Sequence, residues 1–182
     1  MNENPEKTKT RERSFVEFII QGCQPDKNKA MGAALRRADN PATEYQSWEY
    51  LAQFGVDIDK EWLRLPYATI AANIAKAKPV GNGNTGIGRA IAMCYTDGKE
   101  SVQAKARLRR LLACESVEEV CRILRPLLTL IASKAEAHID YAKLLEQLLK
   151  FHWDDSRQWI KAQWAQDFYG RNEKEKTAEV TA

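Results

Sequence analysis

The sequence lacks several features that would assign it to a familiar class of protein. No run of about 18 apolar residues occurs, so we expect no membrane-spanning helix. The opening MNENPEKTKTRERS has charge but no apolar core, which excludes a secretory signal peptide. The only two histidines, His138 and His152, lack the spacing of metal ligands and provide no nucleophile–base pair. We therefore predict a non-enzyme with no metal ion or cofactor.

Cysteine is also scarce, and its placement argues against disulfides. The four cysteines lie far apart within apolar helical patterns, and no C-x-x-C motif occurs. We interpret them as reduced, mostly buried thiols, which predicts a cytoplasmic protein. They are Cys23, Cys94, Cys114 and Cys121.

What is present is a helical pattern with modest positive charge. Apolar residues make up 44% of the 182 residues and charged residues 29%, as in a soluble globular protein. No stretch alternates convincingly like a strand, whereas apolar residues recur at helical spacing throughout. The sequence predicts an all-α protein, a bundle of about eight to nine helices in two subdomains. The net charge of +3 is small, so a basic surface requires segregated charge.

The stretch PVGNGNTG separates the two predicted subdomains. The predicted divisions are an N-terminal flexible tail at 1–13, a helical subdomain at 14–80, a Gly/Asn linker at 81–86, a second helical subdomain at 87–170 and a C-terminal flexible tail at 171–182.

Helix-capping residues refine this picture. Ser14, Asn40, Ser101 and Asp140 each precede an apolar helical pattern and are predicted N-caps, and Ser116 opens a capping box.

Three finer expectations concern particular helices. A helix from residue 41 to 54 should turn Tyr45 and Trp48 inward. Pro66 should interrupt or kink the helix that follows. On the last helix, Trp153 should belong to the buried stripe.

The segment from Gly81 to Gly86 matches G-x-G-x-x-G, the fingerprint of dinucleotide-binding folds. That fingerprint requires a preceding strand and a parallel sheet, and neither is predicted here. We interpret the segment as a linker ending in a glycine-opened helix N-terminus. A phosphate could bind at that N-terminus, with Arg89 one turn into the helix.

One predicted helix, after Ser101, carries four basic residues and no acidic one. At 100° per residue its apolar side chains share one face, and the cations occupy the remainder. The helix can therefore pack into a core while presenting positive charge to a polyanion. The same pattern is equally typical of a solvated helix face. The apolar residues are Ala104, Leu108, Leu111 and Leu112, and the cations are Lys105, Arg107, Arg109 and Arg110.

Six sequence blocks occur in order along residues 14–170: ALRRA, NPATEYQSWEYLAQFG, GIGRAIAMCY, RLRRLLACESVEEVCRILRPLL, IDYAKLLEQLL and WIKAQWAQDFYG. Together they resemble the CasB family, the small subunit of the type I-E CRISPR Cascade. The resemblance implies a non-catalytic, all-helical protein present as two copies in an RNA-guided antiviral complex. It further implies contacts with the backbone subunits, the large subunit, the guide RNA, the target DNA and the displaced DNA strand. The resemblance also implies that base pairing with the guide RNA, and not this subunit, recognises the target sequence, as in another RNA-guided effector.

Carried onto this sequence, the resemblance implies that basic residues of these blocks bind nucleic-acid backbones without sequence preference. Lys and Arg would neutralise phosphates and release counterions. The candidate residues are Arg36, Arg37, Arg89, Lys105, Arg107, Arg109, Arg110, Arg122 and Arg125, with Arg157 and Lys161 on the last helix.

Two other functions are compatible with the pattern. The protein could be a helical protein–protein adaptor whose tryptophans contact a partner and whose arginines are solvated. A helix-turn-helix regulator fits less well, because no short second helix begins with base-reading side chains after a tight turn.

Overall fold

The structure, a computed structural model, describes residues 9–24, 26–135 and 137–170. Over these ranges the chain forms nine α-helices and two short 3-10 helices, and β-structure is limited to one bridge between Thr85 and Ile139. The all-α prediction is confirmed, including the helix number. No helix in the described ranges is long and apolar enough to cross a membrane. Most of both predicted tails, 1–8 and 171–182, lies outside the described residues.

Four α-helices and one 3-10 helix precede residue 81. The first begins earlier than predicted, because Thr10 and not Ser14 caps it by accepting a hydrogen bond from the Arg13 backbone N–H. Asn40 caps the 3-10 helix as predicted. The elements are α1 at Arg11–Gly22, α2 at Lys29–Arg37, the 3-10 helix at Pro41–Ser47, α3 at Trp48–Gln53 and α4 at Glu61–Ala77.

Five α-helices and a second 3-10 helix form the remainder. The predicted caps are confirmed, since the side chains of Ser101, Ser116 and Asp140 each accept a hydrogen bond from the backbone N–H three residues on. The elements are α5 at Ile87–Met93, the 3-10 helix at Gly98–Glu100, α6 at Val102–Leu112, α7 at Val117–Lys134, α8 at Tyr141–Lys150 and α9 at Asp154–Tyr169.

The prediction for residues 41–54 is wrong about which side chains turn inward. The first half is a 3-10 helix, in which residues three apart share a face. Glu44 and Ser47 are therefore buried, whereas Tyr45 is 59% exposed and Trp48 is at the surface. Only Leu51, in the α-helical half, is buried as expected from an α-helical period.

The expected interruption at Pro66 does not occur, because α4 is one continuous helix through this position. Proline cannot donate a hydrogen bond to the carbonyl four residues earlier, so one backbone bond is missing near the start of α4. Downstream packing holds the helix together, since Tyr67, Ile70 and Ile74 are buried.

Helix α4 lies at the centre of the core. It packs against α1, α2, α7 and α8, so it joins helices from both sides of residues 81–86. A single cluster of buried apolar side chains includes Ile70 and Ile74 from α4 together with Leu124 and Leu128 from α7. The division into two subdomains remains a prediction.

The Gly/Asn segment is hydrogen-bonded to the stretch before α8. The Gly83 backbone N–H donates to the Ile139 carbonyl at 2.9 Å, and the Asp140 N–H donates back to the Thr85 carbonyl at 2.9 Å. The Asn82 side-chain amide donates to the Asp140 carboxylate at 2.8 Å. A Cβ on Gly83 would lie 1.9 Å from the His138 carbonyl oxygen, so close backbone packing requires glycine here.

Candidate nucleic-acid interface

Helix α6 places its cations on both sides of a buried stripe. Ala104, Leu108 and Leu111 are buried, as the helical period predicts. Arg107 and Arg110 follow each other along the edge of the helix that faces α7. Residues three apart on an α-helix lie one above the other, so these two guanidinium groups form a short row.

Arg107 and Arg110 line one side of a groove between α6 and α7. Ile123, Pro126 and Leu127 of α7 line the other side. Arg110 is exposed, and its side chain forms no hydrogen bond or ion pair within the described part of the chain. No carboxylate of those residues neutralises its charge.

Tyr95, just after α5, positions Arg107. The Arg107 Nε–H donates to the Tyr95 hydroxyl oxygen at 2.6 Å, which fixes the guanidinium without neutralising it. Tyr95 also lines a second groove together with Arg89 and Lys99. The hydrogen bond between Arg107 and Tyr95 therefore links one lining residue of each groove. We name the resulting surface the basic groove and define it by Arg89, Tyr95, Arg107 and Arg110.

The Arg89 side chain is exposed, but the end of α5 from which it extends is not an empty anion site. Asp167 of α9 accepts a hydrogen bond from the Arg89 backbone N–H at 3.0 Å. A carboxylate of the chain itself thus occupies the helix N-terminus where we expected that a phosphate could bind, and that expectation is wrong. The Arg89 guanidinium forms no hydrogen bond or ion pair in the described residues, although Asp167 lines the same groove.

On the other side of α7, Arg125 is committed to a buried carboxylate. Arg125 donates to Glu44 at 3.4 Å, and Arg64 donates to the other oxygen of Glu44 at 2.8 Å. The side chains of Glu44 and Arg125 are only 7% and 11% exposed. Arg122 belongs to the same side of α7, but it is exposed and forms no ion pair within the described ranges. These two candidates therefore have different environments.

Arg157 and Lys161 of α9 both contact Glu115. The Lys161 ammonium lies 2.5 Å from one Glu115 oxygen, and the Arg157 Nε lies 3.2 Å from the other. The hydrogen bond from Lys161 lowers the pKa of Glu115, so the carboxylate stays charged. Both basic side chains are largely buried, as expected for groups that lie over the core.

The other candidates are at more distant places. Lys105 forms an ion pair with Glu100 at 2.8 Å, and Arg109 is exposed on the side of α6 away from its buried stripe. Arg36 and Arg37, in the last turn of α2, are exposed, and Arg37 donates to Gln46 at 2.8 Å. No contact among the described residues joins either of them to the basic groove.

The fold has clear counterparts among solved structures. It is similar to CasB from M. ruber (TM-score 0.70, 24% identity, 93% of this chain and 98% of that chain covered). It is also similar to a CRISPR-associated protein of the Cse2 family from Thermus thermophilus (0.69, 22%, 88% and 98%) and to CasB from Thermobifida fusca (0.66, 18%, 88% and 99%). At these identities the likeness establishes the fold. No curated protein matches the chain.

The family model for the CRISPR-associated protein Cse2 matches residues 32–169, which is most of the chain. The chain belongs to the Cse2 family. This family, also called CasB, is the small subunit of the CRISPR Cascade complex, so the resemblance drawn from the sequence blocks is confirmed. The matched residues include the whole basic groove.

Sequence reasoning missed three residues that hold candidate basic residues of this Cse2 protein in place through hydrogen bonds. Tyr95, Glu44 and Asp167 each hold a backbone or side-chain group from a distant part of the sequence. No local spacing signals such contacts. Tyr95 does end the block GIGRAIAMCY, which was its one available signal. Among the described residues, no group of three or more His, Cys, Asp and Glu side chains comes together as a metal site.

Proposed function

We propose that this Cse2 subunit is non-catalytic and binds nucleic-acid backbones without sequence preference. In this role it stabilises guide RNA–target pairing and the displaced DNA strand. The observation that carries the proposal is the basic groove, where the guanidinium groups of Arg89, Arg107 and Arg110 form no ion pair with a carboxylate of the described residues, although Asp167 also lines the part that holds Arg89. Its partners are the guide RNA, the target and non-target DNA, the other Cascade subunits and a second copy of this chain, in the cytoplasm.

The chemistry of the groove suits phosphates better than bases. A guanidinium can donate two parallel hydrogen bonds to one phosphate and stays charged at all physiological pH values. Backbone phosphates are the same at every sequence position, so binding through them carries no sequence information. The apolar wall of Ile123, Pro126 and Leu127 supplies no donor or acceptor side chain to read a base edge.

The candidate residues divide into two groups under this proposal. We assign phosphate contact to the exposed arginines and to Arg107. We assign Arg125, Arg157, Lys161 and Lys105 to stabilising the fold, because each forms an ion pair with a carboxylate of the chain. The exposed candidate arginines outside the basic groove are Arg36, Arg37, Arg109 and Arg122.

The test is fluorescence anisotropy with single-stranded and duplex oligonucleotides of scrambled sequence at several salt concentrations. We expect binding that does not depend on sequence. Each phosphate that the protein neutralises adds to the magnitude of the slope of log affinity against log salt. The addition is about 0.7 for a single strand and about 0.9 for a duplex. Arg110→Ala should lower affinity at every sequence and reduce the magnitude of that slope by about one unit.

Two further variants sharpen the measurement. Tyr95→Phe keeps every charge but releases Arg107, so it should weaken binding less than Arg110→Ala does. Arg13→Ala removes an exposed arginine of α1 that is paired with Glu17, and it should leave binding unchanged. Equal losses for Arg13→Ala and Arg110→Ala would contradict the assigned groove. An affinity that does not respond to salt would favour the protein–protein adaptor.

A further inference from the structure

Helix α5 begins without a capping side chain of its own. Gly86 precedes the helix and has no side-chain oxygen, and the first turn of α5 contains no acidic residue. The first backbone N–H groups of a helix have no partner within the helix, so they need an acceptor from elsewhere. Asp167 of α9 supplies one, since its Oδ2 accepts the Arg89 backbone N–H at 3.0 Å. A distant helix thus provides the cap that the local sequence lacks.

The glycines at the start of α5 leave room for this carboxylate. Gly86 has φ −69° and ψ 160°, a conformation that residues with side chains also adopt, so its backbone does not require glycine. A Cβ on Gly86 would instead lie 2.3 Å from Asp167 Oδ2, and one on Gly88 would lie 3.2 Å from the same atom. The last glycine of the segment that matches the dinucleotide fingerprint therefore admits a side chain of the protein itself.

Asp167 is held in place by the packing of α9. Trp164, one turn earlier, and Phe168, the next residue, are both buried in the core, whereas Asp167 itself is half-buried. The backbone of Asp167 cannot shift without disturbing the close packing of these two aromatic side chains. The carboxylate is therefore a fixed point to which the start of α5 is joined.

The contact binds the backbone of Arg89 and leaves its side chain unpaired. The Asp167 carboxylate accepts the N–H, whereas the Arg89 guanidinium forms no ion pair with it or with any other carboxylate in the described ranges. Tyr95 has a similar relation to Arg107, because its hydroxyl fixes that guanidinium without neutralising it. A cation whose position is fixed before the ligand arrives loses less conformational freedom on binding.

We propose that Asp167 is a positioning residue of the basic groove, which raises the affinity of Arg89 for phosphate by fixing the helix turn that carries it. This inference rests on the proposed nucleic-acid function and adds a residue that acts through Arg89. Its effect has the opposite sign to the one that charge alone predicts. Asp167 lines the groove, so removing its negative charge would by itself strengthen binding to a polyanion.

The test is a double-mutant cycle on the full-length chain, with oligonucleotide affinity measured by fluorescence anisotropy. Asp167→Ala should weaken binding by up to about fivefold, the factor that corresponds to the loss of a typical helix cap. In the Arg89→Ala background the same substitution should have no further effect, because the side chain that Asp167 positions is gone. In the Arg110→Ala background the full loss should remain, because Arg110 lies on another helix.

Two further variants test whether the hydrogen bond is the cause, and they keep the test decisive even if Asp167→Ala does not fold. Asp167→Asn removes the charge but keeps an acceptor oxygen, so it should bind at least as tightly as the wild type. Gly86→Ala keeps the charge, but its methyl group displaces the carboxylate, so it should reproduce the loss. Circular dichroism establishes that each variant is folded.

Matched controls change a carboxylate or a glycine elsewhere. Glu146→Ala removes a surface carboxylate of α8, and Gly81→Ala adds a methyl group that meets nothing within 4 Å. Both should bind oligonucleotides like the wild type.

The single arginine variants separate failure of this inference from failure of the proposed function. If Arg89→Ala and Arg110→Ala leave the affinity unchanged, the groove does not bind phosphate and the inference fails with it. If both weaken binding, three results would overturn the inference alone. These are undiminished affinity in Asp167→Ala or Gly86→Ala, an equal loss from Asp167→Ala in the two arginine backgrounds, and a loss in Asp167→Asn as large as that in Asp167→Ala.

Discussion

Arg122 and Arg125 lie three residues apart on α7, yet Arg122 is exposed whereas Arg125 is largely buried in an ion pair. Arg125 reaches Glu44, which the 3-10 helix turns into the core, and Arg64 approaches the same carboxylate. A buried carboxylate with two guanidinium partners is satisfied only while all three groups are present. At the scale of single residues, then, partners decide which cations are available to a ligand.

This arrangement predicts a large stability effect at Glu44. Glu44→Ala leaves Arg64 and Arg125 without a shared carboxylate and should lower the free energy of unfolding by about 3 kcal/mol, as for other broken buried ion pairs. Urea denaturation followed by circular dichroism measures the change. Glu146→Ala, which breaks an exposed pair with Lys150, should cost about 0.5 kcal/mol or less. Similar losses in the two variants would show that the Glu44 cluster does not stabilise the fold.

At the scale of elements, the contact between α5 and α9 holds the start of the basic groove. Gly88 of α5 packs directly on the α9 backbone, and a Cβ there would lie 2.2 Å from the Trp164 carbonyl oxygen. Asp167 of α9 accepts the Arg89 N–H beside it. The position of Arg89 thus depends on how closely the two helices approach.

Gly88→Ala should therefore be destabilising although alanine is the better helix former. The gain in helix propensity is about 1 kcal/mol, but the added methyl group meets backbone that cannot rotate away. We expect a net loss of about 1 to 3 kcal/mol, typical of an overpacked core, seen as a lower Tm. Gly81→Ala is the matched control, because nothing lies within 4 Å of the added Cβ. A Tm for Gly88→Ala at or above that of the control would contradict this packing.

At the scale of the whole molecule, one continuous core shields the four cysteines. All four are free and buried, as predicted from the sequence. Burial raises the pKa of each thiol, and for Cys121 it raises the pKa from its ordinary value of 9.0 to about 12. Burial also raises the pKa of the Tyr141 hydroxyl, which donates to Asn73 at 2.8 Å. These groups remain neutral in the folded protein.

This burial predicts a loss of stability in alkali. Because the folded pKa of Cys121 exceeds its unfolded value, its contribution is fully present below pH 9 and is lost as the pH rises toward 12. Each such group lowers the free energy of unfolding by up to about 1.4 kcal/mol per pH unit in that window. Urea denaturation at a series of alkaline pH values should show the decline, and Cys121→Ala should make it shallower. A stability independent of pH above 9 would contradict the burial of these thiols.

The sequence by itself determined the helical class, the helix number, most caps and the family. Caps and apolar periods are local, because a cap bonds a backbone N–H two or three residues on and a helical face repeats within two turns. For the same reason, the basic residues of α6 could be recognised from the sequence alone. Errors came where the local period changed, as in the 3-10 helix that buries Glu44 and exposes Tyr45.

Only the tertiary structure decided which of the eleven candidate cations are held by partners within the chain. Arg107 is held by Tyr95 twelve residues away, Arg125 by Glu44 at a separation of 81, and Lys161 by Glu115 at 46. Such pairs depend on how whole helices pack, and helix packing follows from the combined burial of many side chains. The same packing places the Trp153 ring edge-to-face on Trp62, with their centroids 6.0 Å apart. Trp153 is 52% exposed, so the prediction that it belongs to the buried stripe of α9 is wrong.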